Sequence, residues 1–218
     1  MNTDSIVKYF PNLNQQQLSQ FEALGDLYRD WNSKINVISR KDIDNLYLHH
    51  VLHSLSIAAF LGDIEPNTRF VDIGTGGGFP AIPLAILYPE ASFHLVDRIV
   101  KKLRVADEIA KTIGLENVTF QHGDMRECKE KFDYAVSRAV MPLDELIKIC
   151  RRNINDHCFN RYPNGLICLK GGDISEECGR FTGQVLTFPV NEFFTESFFD
   201  SKEIVYVPLA NLSTNRHR

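Results

Sequence analysis

The chain has 218 residues, of which 44% are hydrophobic and 24% charged, and its formal net charge is −4 at pH 7. This composition is typical of globular proteins, and the slightly negative total excludes a protein that binds nucleic acid over its whole surface. A local basic face remains compatible with it, because a partner senses local charge. The five cysteines are scattered and form no C-x-x-C pair, which disfavours a disulfide framework and a structural zinc. With no apolar run near about 20 residues and no signal-peptide pattern, we expect a cytoplasmic protein without a membrane span.

The first sixty or so residues predict helices. Asn14 and Gln17 have the spacing of a capping box, and apolar residues then recur every three or four positions as far as Trp31, which we expect in the core. Ser39 with Asp42 predicts the start of a second helix, which stops near Gly62. These residues predict a helical extension over residues 1–65.

After this extension, short apolar runs alternate with helical patterns. Seven strands are predicted, over residues 69–73, 92–96, 117–121, 132–136, 165–170, 184–190 and 202–208. Helices are predicted after the first strand, over 99–113 and around 142–154. Such alternation indicates a parallel sheet covered on both faces, whereas the last two strands lack a helix between them and predict an antiparallel edge. We expect one α/β domain over residues 66–210 and a frayed tail over 211–218.

A glycine-rich segment, VDIGTGGGFP over residues 71–80, follows the first predicted strand and opens a helix. Glycines let a ligand approach the backbone closely, and a helix N-terminus offers free N–H groups. The spacing D-x-G-x-G-x-G is that of the S-adenosylmethionine loop of class I methyltransferases. A dinucleotide enzyme is the weaker alternative, because its fingerprint needs a third glycine where Phe79 stands. The candidate cofactor-binding residues of this loop are Asp72, Gly74, Gly76, Gly78 and Phe79.

Two acids follow the next predicted strands. Asp97 ends the second strand about 20 residues beyond the loop, which is the separation of a ribose-binding acid, although a helix N-cap is an alternative role. Asp124 follows the third strand, where acids of this fold commonly lie near adenine. Loop and acids together predict S-adenosylmethionine as the cofactor.

Several further segments occur in a characteristic order. They are WNSKIN over residues 31–36, His50 with Ser54-Leu55, IGTGGGFP over 73–80, Asp97 with Lys101-Lys102, FDYAVSRA over 132–139 and LKGG over 169–172. Over roughly residues 20–208 the chain resembles the glucose-inhibited division protein B family, the bacterial small-subunit rRNA guanine-N7 methyltransferases (RsmG). The resemblance implies a class I, Rossmann-like methyltransferase fold, methylation of N7 of a guanine in 16S rRNA, and this RNA or an immature small ribosomal subunit as partner.

The chain departs from the family pattern at three places. Ala81 stands where glycine is usual, and His53 stands where aspartate is usual. In the segment GDMRE the register is ambiguous, which leaves the adenine contact open among Asp124, Arg126 and Glu127.

Methylation at N7 of guanine needs no general base, because this nitrogen carries a lone pair and no proton; it needs orientation and desolvation. The sequence SRAV after the fourth strand replaces the N/D-P-P-Y/F motif of amine methylation, and the chain has no Pro-Cys nucleophile. Arg138 and Lys170 lie at the predicted ligand-binding edge of the sheet and are the candidate catalytic residues. Arg138 is also a candidate cofactor ligand, and an ion pair with a loop acid is the structural alternative for both.

Two charged clusters leave their roles open. The helix after the second strand carries three basic residues, Lys101, Lys102 and Arg104. They form either a solvated helix face or an RNA-steering patch. His49 and His53 have an i, i+4 spacing that suits a metal, but no H-E-x-x-H pattern accompanies them, and we predict no metal. We expect His50 and His53 to pack or bond where their helix meets the core.

Three other functions compete with rRNA methylation: a methyltransferase for a small molecule or protein, a nicotinamide-dependent oxidoreductase, and an RNA-binding module without activity. Turnover on ribosomal RNA and a cofactor titration separate them. We expect a monomer.

Overall fold

A computed structural model of the chain describes residues 3–138, 141–179 and 185–210. The tail predicted to fray, 211–218, lies outside these residues, as does Gln184 in the sixth predicted strand. None of the helices within the described ranges is long and apolar enough to cross a membrane.

The N-terminal part is helical. It comprises α1 (Asp4–Tyr9), α2 (Gln15–Lys34), a 3₁₀ turn (Ile43–Asn45), a π-helical segment (Leu46–Leu52) and α3 (His53–Leu61). The predicted capping box of α2 is confirmed: Asn14 Oδ1 accepts from Gln17 N at 2.9 Å, and Gln17 Oε1 accepts from Asn14 N at 3.0 Å.

Two details of this region differ from the prediction. The helix predicted to open at Ser39 with Asp42 begins instead as the 3₁₀ turn after Asp42, whose carboxylate bonds to His49 and His50 and does not cap the turn. Trp31 is only half-buried near the end of α2, where the Lys34 ammonium lies 5.2 Å from its ring centroid.

The rest of the described chain forms a seven-stranded sheet covered by helices. The strands are β1 (Arg69–Ile73), β2 (Ser92–Asp97), β3 (Val118–His122), β4 (Tyr134–Arg138), β5 (Gly165–Gly171), β6 (Leu186–Pro189) and β7 (Lys202–Pro208). The remaining α-helices are α4 (Ala81–Leu87), α5 (Val100–Thr112), α6 (Leu143–Cys150) and α7 (Ser175–Gly179). The strand order is β3-β2-β1-β4-β5-β7-β6, with β1 to β5 parallel and β7 antiparallel to both of its neighbours. The predicted fold class and the antiparallel edge are therefore confirmed.

Strand β4 begins two residues later than predicted. Phe132 forms only an isolated bridge with Ile154, and the Asp133 carboxylate accepts from the Arg69 backbone N at 2.8 Å. Arg138 is consequently the last residue of the strand, paired with Leu169, rather than a residue of the following loop.

The N-terminal helices share one apolar core with the sheet. Phe21 and Leu24 of α2 and Leu55 of α3 are fully buried in the same cluster as Phe70 of β1 and Ile167 of β5. Residues of α6 pack in a second cluster with other sheet residues: Leu143, Leu146, Ile149 and Cys150.

The order of the strands places a ligand crevice between β1 and β4. From β1 the chain proceeds through β2 to β3 on one side, and from β4 to β5 on the other. In open α/β sheets, ligands bind at such a switch point, outside the carboxyl ends of the strands.

Candidate functional site

The glycine-rich loop connects β1 to α4 and opens onto the crevice. Gly76 has a φ of +57°, and a Cβ there would lie more than 4 Å from every atom of the described part of the chain outside its immediate neighbours. Gly78 has a φ of +101° and packs against α4, because a Cβ there would lie 2.5 Å from Cδ1 of Ile82. The loop thus needs glycine at one position for its backbone and at the other for both backbone and packing.

The α2 helix and the segment after it support this loop from outside. The buried Tyr28 hydroxyl donates to the carbonyl of Gly77 at 2.7 Å. A Cβ at Gly77 would lie 2.8 Å from Cβ of Val37, so the extension and the loop are in direct contact.

A cleft of about 540 Å³ lies where the first four strands end, which is within the usual range for cofactor sites. The structure brings six of the predicted site residues to its walls: Gly74, Gly76, Phe79, Asp97, Asp124 and Arg138. The other predicted site residues are described by the structure but do not line the cleft: Asp72, Gly78, Arg126, Glu127 and Lys170.

Asp97 joins the end of β2 to the glycine-rich loop. Its Oδ2 accepts from the Gly76 backbone N at 2.7 Å, and its Oδ1 accepts from the Ile99 backbone N at 2.7 Å. Each carboxylate oxygen has a second lone-pair direction, so the cleft-facing acid retains the capacity to accept from a ligand.

Asp72 is buried beneath the loop. Its Oδ2 accepts from the Thr75 hydroxyl at 2.7 Å and from the Ala81 backbone N at 3.1 Å, while Oδ1 has no hydrogen-bond partner among the described residues. Burial raises the pKa of Asp72 to about 7, an effect that these hydrogen bonds only partly oppose. Asp72 therefore organises the loop from behind.

The segment after β3 carries the three residues predicted to contact adenine, and only one of them lines the cleft. Asp124 reaches the cleft, and the backbone N–H of Arg126 and the Arg98 guanidinium hold the pKa of Asp124 below its usual range. Arg126 and Glu127 are exposed and do not line the cleft. Their assignment as cofactor ligands stays a prediction.

Arg138 occupies the end of β4 with its guanidinium among aromatic and polar groups. It donates to the His49 carbonyl at 3.2 Å and to Nδ1 of His50 at 2.9 Å, and it lies 5.1 Å from the ring centroid of Phe79. Burial lowers the pKa of Arg138 to about 10, so it remains a cation at neutral pH. A partly buried cation at the edge of a cleft is suited to an anionic or electron-rich ligand.

Comparison with known proteins places this geometry in a family. Residues 17–187 match the family model described as rRNA small subunit methyltransferase G. The chain belongs to this family. The ribosomal RNA small subunit methyltransferase G of Phocaeicola vulgatus is 59% identical over 207 residues, covering 95% of this chain and 99% of that protein.

Solved structures share the fold at much lower identity. The RNA methyltransferase from Salinibacter ruber in complex with S-adenosyl-L-homocysteine is 16% identical with a TM-score of 0.52, covering 74% of this chain and 90% of that one. A variant of MtNAS in complex with S-adenosylmethionine is 14% identical with a TM-score of 0.56, covering 88% of this chain and 76% of that one. The methyltransferase G family and the class I fold are thus both established for this chain.

Lys170 has a different environment from Arg138. Its ammonium donates to the Met141 carbonyl at 3.0 Å and pairs with Glu177 Oε1 at 3.0 Å. Glu177 also accepts from the Leu143 backbone N at 2.5 Å. Lys170 therefore ties α7 to the start of α6 beside Met141, which does line the cleft. The structural alternative, an ion pair, is therefore present, although its acid belongs to a helix and not to a loop. The catalytic assignment of Lys170 stays a prediction.

The structure adds cleft residues that sequence reasoning missed. Met125 is buried at 3% exposure, whereas Ile99 is 50% exposed at the mouth of the cleft. The sequence offered one signal for Ile99: it is an apolar residue two positions after Asp97, the acid predicted to bind ribose. Among the basic residues of α5, Lys102 lines the cleft, and Lys101 and Arg104 are exposed.

His53 packs at the junction of α3 with the core, as expected. Its ring meets Phe198 edge-on at 5.8 Å, and burial lowers the pKa of His53 to about 3.

Proposed function

We propose that the chain methylates N7 of a guanine in 16S rRNA with S-adenosylmethionine as the methyl donor. The observation that carries this proposal is the contact of Asp97 Oδ2 with the Gly76 backbone N at 2.7 Å, on the wall of the cleft. This contact joins a cleft-facing acid to an open glycine loop, and membership of the rRNA small subunit methyltransferase G family indicates the RNA substrate.

The cleft residues fit this cofactor. Gly76 leaves room where a side chain would stand, and Asp97 can accept from ribose hydroxyls. Met125 and Ile99 offer apolar surface for a flat base, with Asp124 beside them for its polar edge. When bound, S-adenosylmethionine supplies an electrophilic methyl group on a sulfonium.

The residues around the cleft would orient the guanine and exclude water rather than remove a proton. N7 attacks through its own lone pair, so a carboxylate held below its usual pKa, such as Asp124, suits the site without serving as a base. Arg138 would bind the guanine edge or its phosphate, or the carboxylate of the cofactor.

The basic residues near the cleft mouth would steer the RNA. Lys102 lines the cleft, and Lys101 and Arg104 extend the positive charge along α5. Lys170 would act indirectly, by holding Met141 in place.

We propose further that the protein works as a monomer in the cytoplasm, on 16S rRNA or an immature small subunit. Size-exclusion chromatography with light scattering tests whether it is a monomer.

The test is methyl transfer from labelled S-adenosylmethionine to small-subunit rRNA isolated from cells that lack this protein, followed by mapping of the modified base. We expect label at N7 of a single guanine. Asp97→Ala should abolish binding of the cofactor in a calorimetric titration, and Arg138→Ala should lower the rate. Asp30→Ala, an exposed acid paired with Lys34, is the matched control and should behave as the parent protein.

If the protein binds the cofactor but transfers no label to rRNA or to immature subunits, it would still be a methyltransferase, but rRNA would be rejected as its substrate. Binding of RNA without turnover would indicate the RNA-binding module instead.

A further inference from the structure

An acid of the N-terminal extension is linked to Arg138 through a histidine. Asp42 precedes the 3₁₀ turn, and its Oδ2 lies 2.7 Å from Nε2 of His50. The other ring nitrogen of His50, Nδ1, lies 2.9 Å from a guanidinium nitrogen of Arg138, which is 88 residues away in the sequence. A continuous chain of hydrogen bonds thus runs from Asp42 to the cleft.

Chemistry determines the direction of these bonds. A guanidinium only donates, so His50 Nδ1 accepts, and the ring proton must be on Nε2 and point to Asp42. Burial and the charge of Arg138 lower the pKa of His50 to about 4, which keeps the ring neutral at physiological pH. Although burial acts to raise it, hydrogen bonds from His49 and His50 lower the pKa of Asp42, so the acceptor is a carboxylate.

The second oxygen of Asp42 holds the adjacent histidine. Oδ1 lies 2.5 Å from Nδ1 of His49, whose ring stacks on Phe198 at a centroid distance of 3.8 Å. The carbonyl of His49 accepts from Arg138. These two hydrogen bonds of the guanidinium therefore end on residues whose rings Asp42 contacts.

We propose that Asp42 is a positioning residue for methyl transfer: it orients His50, which holds the Arg138 guanidinium at the cleft. The inference rests on the proposed function. A carboxylate behind a histidine selects its tautomer and ring orientation, and loss of such support loosens the group in front.

A cycle of variants tests this link in the full-length protein. Asp42→Ala is measured alone and combined with His50→Phe, which keeps a ring in place but removes both nitrogens. If Asp42 acts through His50, we expect kcat for rRNA methylation to fall on the order of tenfold in Asp42→Ala, since small misplacements at a reactive site are costly. In the His50→Phe background the same change should alter kcat less than about twofold.

Asp44→Asn, an exposed acid of the same 3₁₀ turn, is the matched control and should leave kcat unchanged. If Asp42→Ala fails to fold in thermal melting, Asp42→Leu replaces it in the cycle, because a leucine fills a similar volume and accepts from neither histidine. An unchanged kcat, or an equal fall in both backgrounds, would overturn the proposal.

Nitrogen-15 NMR of the histidine rings gives a readout that does not depend on activity. We expect His50 in the parent protein as a neutral Nε2–H tautomer, and a mixture of tautomers in the Asp42 variant. An Nδ1–H tautomer in the parent would overturn the proposal even if rRNA is methylated. Inactivity of the parent on rRNA would instead reject the proposed function and leave the tautomer test valid.

Discussion

Burial alters the acid–base chemistry of Asp72, which lies behind the glycine-rich loop at 1% exposure. The carboxyl has an ordinary pKa of 3.8 and a pKa of about 7 in the folded protein. The folded state thus binds a proton between these values and the unfolded state does not. Its contribution to stability is fully present below about pH 4 and is lost as the pH rises through 7.

Replacing this acid should remove that pH dependence. We expect the free energy of unfolding of Asp72→Asn, relative to the parent, to rise between pH 4 and pH 7 and then level off. The rise is at most roughly 4 kcal/mol, from about 1.4 kcal/mol per unit of pKa. Urea unfolding across this range measures it, and contributions of buried His50 and His53 cancel in the difference.

Asp26→Asn, at a side chain that is fully exposed, is the control for the change from a carboxylate to an amide. A flat profile for Asp72→Asn would show that the acid is ionised in the folded protein throughout.

At the scale of elements, the glycine-rich loop and the segment after α2 are in steric contact. Gly77 does not have a positive φ, but a Cβ there would lie 2.8 Å from Cβ and 2.9 Å from Cγ2 of Val37. The need for glycine at this position therefore comes from a neighbour 40 residues away in the sequence and not from the backbone.

This contact predicts a compensating pair of substitutions. Gly77→Ala should cost about 1–3 kcal/mol of stability by overpacking, and the same change should cost less than about 0.5 kcal/mol in a Val37→Gly background. Urea unfolding of the four proteins measures both values. Equal costs in both backgrounds would contradict the steric explanation.

At the scale of the whole molecule, the N-terminal helices and the sheet bury their apolar faces against each other. Phe21, Leu24 and Leu55 have no exposed surface. In addition, Lys8 of α1 pairs with Glu196 at 3.0 Å, and Tyr9 meets Phe194 at 4.6 Å. Shared burial of this kind makes unfolding cooperative.

We therefore expect one unfolding transition. The sole tryptophan, Trp31, lies in α2 and reports on the extension by fluorescence, while far-UV circular dichroism reports on the whole chain. The two curves should coincide, and a chain starting at residue 66 should lack near-UV dichroism and bind a hydrophobic dye. A fluorescence transition that precedes the dichroism transition would indicate an independently folding extension. The boundary at residue 65 stays a prediction.

Local signals in the sequence were enough for much of the fold. The capping box of α2, the alternation of strands and helices, and the distance from the glycine-rich loop to Asp97 each depend on hydrogen bonds or periodicity within one or two neighbouring elements. Such features are encoded over a few residues, and the structure reproduces the strands with shifts of one or two residues at their described ends. The helix predicted around 142–154 ends earlier, because α6 stops at Cys150 and a 3₁₀ turn follows. The characteristic order of the motif segments was also visible in the sequence, and it predicted the family that the comparison confirmed.

Only the tertiary structure decided how distant side chains meet. The sequence by itself determined the glycine-rich loop and the acid that faces it, because both follow consecutive strands of one sheet. It did not determine that Arg138 is held by His50, that Lys170 pairs with Glu177, or that Gly77 meets Val37. These contacts depend on how separate elements pack, and side-chain reach and burial across a packed interface leave no periodic signal in the chain.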